Sequence, residues 1–144
     1  MNSNQKHRKF LVSFVKYLEP RHYIQSSGEF IQDQYEEIFE VVFITKGSVG
    51  VGYRLFNEIF YGIQITMNKQ RKVISVINDY SCLYNKCSEF LYQPIDQADA
   101  FAIRRGNYEE VMQESIGKRL RNKISKAYKY IIQEPLHEHR DEMA

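Results

Sequence analysis

Few residues in this chain could do chemistry, and none is arranged for catalysis. His137-Glu138-His139 is the one histidine pair at a spacing that could hold a metal. It follows Pro135 in a polar stretch, whereas an H-x-H metal pair in a β-protein belongs on a strand, with both rings on one side. His7 and His22 have no partner at metal-ligand spacing. Cys82 and Cys87 are the two cysteines, too few for a disulfide framework, and they fit two half-buried thiols in a reducing compartment. No nucleophile stands with a base, and no pair of carboxylates is set for acid–base work. The expectation is a non-catalytic binding or regulatory domain with no metal.

The charged residues point the same way. Lys118, Arg119, Arg121, Lys123, Lys126 and Lys129 fall within twelve residues that contain no acid, and Asp33, Glu36, Glu37 and Glu40 form an acidic stretch far upstream. A net charge of +2 is too small to imply a nucleic-acid partner, so both runs read as solvated faces. With 43% hydrophobic and 26% charged residues in 144, the chain has the balance of one folded domain. No apolar run approaches the length that crosses a bilayer.

Hydrophobic spacing divides the chain. Phe10, Leu11, Phe14, Val15 and Leu18 recur at helical intervals, which predicts an amphipathic helix over residues 5–18 within a lead-in at 1–20, ended by Pro20. Residues 21–105 then read as many short strands. Glu40–Thr45 and Val49–Tyr53 form a hairpin-like pair broken at Lys46-Gly47, with Gly47 at positive φ, and Ile59–Thr66 alternates with a period of two. A polar turn is expected at Met67–Arg71, strands at Val73–Ile77, Phe90–Ile95 and Ala100–Arg104, and a turn at Pro94–Asp99. Residues 106–134 return to helix, one short at 107–116 and one long and amphipathic at 118–133, and 135–144 read as a polar tail. The fold class is therefore α+β, with enough strands for an antiparallel roll, sandwich or barrel, an N-terminal helix and two C-terminal helices. Val42, Ile44, Val51, Ile63, Ile65, Ile74, Phe90 and Ile103 are expected in the roll core, with Phe14, Leu18, Leu120 and Tyr128 packing helices on it.

Particular residues sharpen this. Leu18-Glu19-Pro20-Arg21-His22-Tyr23, then Gly28-Glu29-Phe30-Ile31, then Phe43-Ile44-Thr45-Lys46-Gly47-Ser48-Val49-Gly50-Val51 resemble the first half of the cyclic-nucleotide-binding domain of cation channels. The channels in question are the cyclic-nucleotide-gated, hyperpolarisation-activated and ether-à-go-go groups. The resemblance runs from about residue 10 to 133 and implies an antiparallel β-roll of the jelly-roll, double-stranded β-helix type with an N-terminal helix and two C-terminal helices. It implies a cytoplasmic regulatory part of a cation (potassium) channel, with the rest of the channel polypeptide and its sister subunits as partners.

The resemblance also places a phosphate-binding cassette at 77–91. In the family a glycine lets the backbone approach the ligand, a glutamate holds the ribose hydroxyl, and an arginine pairs with the cyclic phosphate. Here Asn78 stands at the glycine, Asp79 at the glutamate, Ser88 at the arginine and Leu91 near the hydroxyl residue that assists it, with Tyr80 and Ser81 between. Lys86 is the nearest cation, and it lacks the two-pronged donor of arginine. Losing one charge-assisted contact in a buried site costs roughly 2–4 kcal/mol, or about 30- to 1000-fold in affinity. The cassette is thus degenerate, and no cofactor is expected. The pattern is similar to the ether-à-go-go homology domains, in which a segment after the last helix fills the pocket. Leu136 is the one apolar plug in the tail here, so a self-ligand, a partner or another small molecule stays open. The alternatives are a genuine cAMP- or cGMP-binding regulatory domain and a free-standing scaffold of the same fold. No helix-turn-helix is expected after the last helix, which argues against a transcription factor. Gly117, between the two C-terminal helices, is the candidate hinge by which the long helix moves.

Overall fold

The computed structural model describes residues 3–67 and 75–144. Helix α1 (Ser3–Lys16) leads into β1 (Glu19–Ile24), then come β2 (Glu40–Leu55), β3 (Glu58–Met67) and β4 (Ser75–Ile77). Next are α2 (Asp79–Leu83), β5 (Leu91–Arg104), α3 (Arg105–Val111), α4 (Ser115–Ala127) and α5 (Glu134–Met143), with a π-helical turn at Tyr128–Gln133 joining the last two. The strands pair antiparallel in the order β1-β5-β2-β3, with β4 added to β2. The α+β class expected from the hydrophobic pattern and the antiparallel roll that the resemblance implies are what form. Ile74, Val73 and the turn expected at residues 68–71 lie outside the described residues.

Two expected strand breaks are not breaks. Glu40–Thr45 and Val49–Tyr53 belong to the single strand β2, and Phe90–Ile95 and Ala100–Arg104 merge into β5. The hairpin that does form joins β2 to β3 through Phe56 and Asn57, both at positive φ (54° and 64°), the backbone of a two-residue I′ turn. Gly47, at φ 97°, instead serves a bulge. The pairing moves from Ile44↔Ala100 to Lys46↔Asp99, then from Gly47↔Ala98 to Ser48↔Ile95, so Thr45 and the pair Asp96-Gln97 are left unopposed. A Cβ on Gly47 would lie 2.2 Å from the Gln97 carbonyl oxygen, which excludes any side chain there.

The bulge decides which side chains enter the core. Val42 and Ile44 point inward before it, and Val49, Val51 and Tyr53 after it, and all five are fully buried. One unopposed residue on β2 changes the parity. Two on β5 leave it unchanged, so Tyr92, Ala98, Ala100 and Ala102 all face the same interior. Phe90 joins them, and Ile63, Ile65 and Tyr128 pack at the margin. A second core lies outside the sheet, where Val41 and Ile103 meet Phe10, Tyr108, Val111, Met112 and Ile116, with Phe14, Leu18 and Leu120 at its edge. Ile103 is therefore a core residue of the helical layer and not of the roll interior.

The expected polar tail is helix. Pro135 stands in the first turn of α5, where proline's missing N–H costs nothing if the preceding turn does not need it. The π-helical turn at Tyr128–Gln133 provides that, and the helix continues through the proline. Leu136 is 0% exposed and sits against Gly62 of β3, where a Cβ would come within 2.6 Å of Leu136 Cδ2. The His139 Nδ1 and Tyr53 hydroxyl are 2.5 Å apart across the same contact. If α5 is part of the folded domain, Leu136→Ala lowers stability by about 2–4 kcal/mol, measured as the shift of the urea unfolding midpoint. A loss under about 0.5 kcal/mol, the range of an exposed substitution, would mean that α5 is not docked.

Candidate functional site

A cavity of about 300 Å³ lies between the β4–α2 segment, Ile65 of β3, Tyr92 of β5 and the helical stretch from Ile124 to Ile132, a size suited to a small molecule. Four of the residues nominated from sequence line it, namely Asn78, Asp79, Tyr80 and Ser81. Lys86, Ser88 and Leu91 do not. Ser88 is 2% exposed, its hydroxyl donates to the Phe90 carbonyl at 2.6 Å, and its backbone pairs with Tyr35 and Glu36. Leu91 is fully buried opposite Gly52. Lys86 is exposed; its ammonium donates to the Tyr80 hydroxyl at 3.3 Å and lies over that ring, so it braces a wall residue from outside.

Asn78 explains itself geometrically. It caps α2 at φ 78°, a backbone that glycine adopts freely and that asparagine tolerates better than other side chains. Its Nδ2 donates to Gln32 Oε1 (2.9 Å) and the Glu40 carbonyl (3.1 Å), tying the cassette to the strand that opens the roll. Its Oδ1 is buried with no partner among the described residues. The next residue, Asp79, accepts from the Tyr80 N–H at 2.8 Å.

The helical wall is held by aromatic contact and one carboxylate. Tyr80 and Tyr128 stack with ring centroids 4.2 Å apart and planes 6° from parallel. Glu89 takes hydrogen bonds from the Tyr128 hydroxyl (3.4 Å) and Gln133 Nε2 (3.1 Å), and lies 2.5 Å from His137 Nε2. Sequence reasoning missed Glu89, whose only mark was an acid directly before the apolar Phe90-Leu91 run. His137 and His139 thus face different partners from α5. Among the described residues no group of three His, Cys, Asp or Glu is placed to hold a metal.

Gly117 is not at the joint. The break between helices is Met112–Glu114, and Gly117 lies inside α4, where a Cβ would stand 2.6 Å from the Met112 backbone. It is needed for close packing of α4 on the end of α3. The two thiols also differ: Cys82 is buried and Cys87 exposed, and burial pushes the Cys82 thiol up to about 11.

Burial raises the Asp79 carboxyl to about 6, with the Tyr80 N–H opposing in part. The folded state therefore holds this proton to higher pH than the unfolded chain does, and the stability tied to it is full below about pH 4, falls between about 4 and 6, and is lost above. The groups coupled to it, Tyr92, Tyr108 and Cys82, are all raised and are silent in that window. Asp79→Asn should be the more stable form at pH 7, by on the order of 3 kcal/mol, with the difference closing as pH falls to 4. A urea-midpoint difference independent of pH would overturn this.

No family model matches the chain, and no curated protein matches it by sequence. Solved structures do match. The regulatory subunit of a cAMP-independent protein kinase A from Trypanosoma brucei, as a triple mutant bound to cAMP in the A site, superposes with a TM-score of 0.62 at 13% identity, covering 89% of this chain and 42% of that one. The corresponding subunit from Trypanosoma cruzi, bound to guanosine, gives 0.62 at 15% identity, with 89% and 42% covered. The Thermus thermophilus catabolite activator protein gives 0.64 at 14% identity, covering 94% of this chain and 57% of that one. The chain thus spans less than half the length of these kinase subunits, and at such identities the likeness speaks for the fold. An antiparallel roll with an N-terminal helix, a short helix after β4 and helices closing the open side is the cyclic-nucleotide-binding β-roll, and this chain has that fold.

Proposed function

We propose that the chain is a non-catalytic regulatory domain that keeps the cyclic-nucleotide-binding roll but does not use a cyclic phosphate as its ligand. The observation that carries this is the charge of the cavity wall. Among the described residues that line it, the one charged side chain is Asp79, an acid, and the rest of the wall is aliphatic or tyrosine with Ser75, Asn78 and Ser81. Among the described wall residues a phosphate monoanion would meet a carboxylate and no cation, which disfavours binding on both desolvation and charge. The Trypanosoma cruzi subunit bound to guanosine, a nucleoside without phosphate, supports the compatibility of this fold with ligands of that kind.

The domain's output is the position of its last helices. Tyr128 belongs to the cavity wall and also to the turn between α4 and α5, so any occupant that displaces it from Tyr80 shifts the helices by its differential affinity for the two arrangements. The setting is the cytoplasmic side of a cation (potassium) channel, a reading that rests on the residues at 18–23, 28–31 and 43–51. Among the described residues no helix is long and apolar enough to cross a membrane, so pore helices would have to be encoded next to this segment.

Calorimetry with cAMP, cGMP and guanosine tests the ligand reading. Neither cyclic nucleotide should bind at micromolar concentration, and cGMP should bind no tighter than guanosine, because its phosphate finds no cation among the described wall residues. A low-micromolar dissociation constant for either cyclic nucleotide would overturn it. For the output, spin labels at Lys126→Cys and Ser48→Cys in a Cys87→Ser background report the distance from helix to roll. Tyr128→Ala should broaden or shift that distance, and an unchanged narrow distribution would show that the stack does not hold the helix.

A further inference from the structure

Helix α1 faces two ways. Phe10 is buried, and Phe14 and Tyr17 pack on the second core. At 100° per residue the opposite face carries Leu11, Val12 and Val15, which are 60%, 64% and 64% exposed. Three aliphatic side chains on one outward face cost free energy in water unless something covers them. Arg8 lies among them, Lys9 and Lys16 flank them, and all three are exposed.

The neighbouring helix carries the same charge. α4 packs against α1 through the second core, and Ser13 Oγ donates to Glu114 Oε1 at 3.2 Å where the two meet. Lys118, Arg119, Lys123 and Lys126 of α4, and Lys129 of the turn after it, are exposed. Arg121 is not part of this set, because its guanidinium donates to the Leu83 carbonyl. Residues 1–18 and 115–133 together hold ten of the chain's 20 Lys and Arg and none of its 18 Asp and Glu. The charge is therefore strongly one-sided despite the small net value.

We infer that the outward face of α1, with the basic surface of α4 beside it, docks on an anionic lipid bilayer. Leu11, Val12 and Val15 enter the boundary between headgroups and acyl chains, while Arg8, Lys9 and Lys16 lay their stems along it and place their charges among lipid phosphates and carboxylates. The lysines of α4 add long-range attraction to the same negative surface. Protein interfaces are poor in lysine and rich in aromatic anchors, and this face has the reverse composition, which is why a lipid surface fits it better than an acidic protein. The helix lies on the membrane and does not span it, having 14 residues. This inference is independent of what fills the cavity.

Co-flotation of the whole chain with vesicles tests it, using phosphatidylcholine alone and phosphatidylcholine with phosphatidylserine. Binding is expected to the anionic vesicles only, and to fall at least about tenfold in about 0.5 M NaCl, where the Debye length is only a few ångströms. The double variant Leu11→Ser, Val15→Ser should lose about tenfold of that binding while keeping the unfolding midpoint of the parent, since both side chains are exposed. Arg8→Glu with Lys9→Glu should lose at least as much. The proposal is overturned by an absence of binding to anionic vesicles, or by binding that Leu11→Ser, Val15→Ser leaves unchanged, which would reduce the surface to a nonspecific polycation. Tighter binding to an acidic polypeptide than to the vesicles would also overturn it, in favour of a protein partner.

Discussion

Everything in this molecule hangs on the pairing of β2 with β5. The two strands run side by side over most of their length, and each is too long to stay flat around so small a core. The mismatch at Thr45 and Asp96-Gln97 bends both at the same place, and Gly47 allows the carbonyl of Gln97 to come close enough to keep them hydrogen-bonded through the bend. Because the mismatch is odd on one strand and even on the other, the inward set of side chains survives on both. A flat continuation would have turned Val49, Val51 and Tyr53 to the outside.

The bend also creates the site. Inside the roll, large side chains on β2 face alanines at positions 98, 100 and 102 on β5, and the cavity is bounded by Tyr92 and by the β4–α2 segment. The open side of that space is covered by the stretch from Ile124 to Ile132, which is fastened twice. Tyr128 stacks on the cassette through Tyr80, and Glu89 gathers Tyr128, Gln133 and His137. Leu136 against Gly62 then fixes helix α5 on the roll. The wall that an occupant would have to move is thus attached through groups lining or bordering the cavity, which is the arrangement a ligand-sensitive lever requires.

Electrostatics separates the two ends of the protein's chemistry. The cavity wall carries a desolvated acid, Asp79, which favours hydrogen-bond donors over anions, and the buried Oδ1 of Asn78 has no partner among the described residues. The helical layer outside carries the basic surplus and the exposed aliphatics of α1. Among the described residues, the cations on α1 and α4 are thus on the outer surface and do not line the cavity.

Much of this was legible in the sequence because it depends on local periodicity. The amphipathic stripe of α1 and the alternation in Ile59–Thr66 follow from spacings of two, three or four residues, the glycine at 47 is marked by its turn chemistry, and the position 77–91 is placed by the resemblance and not by any spacing. Spacing also marked Val42, Ile44, Val51 and Phe90 as core. What the local pattern could not show is whether a turn signal is a turn or a bulge, because Lys46-Gly47 and Pro94–Asp99 look alike in both cases, and only the partner strand decides. Nor could it show which way Ser88 and Leu91 face, since that depends on the strand register across from them. The C-terminal segment is the clearest case. Read alone, Pro135 ends a helix and a charged decapeptide is a solvated tail. The preceding π-turn removes the need for the proline N–H, and Leu136 finds a glycine on β3, far back along the chain, a contact that exists only once the roll has closed.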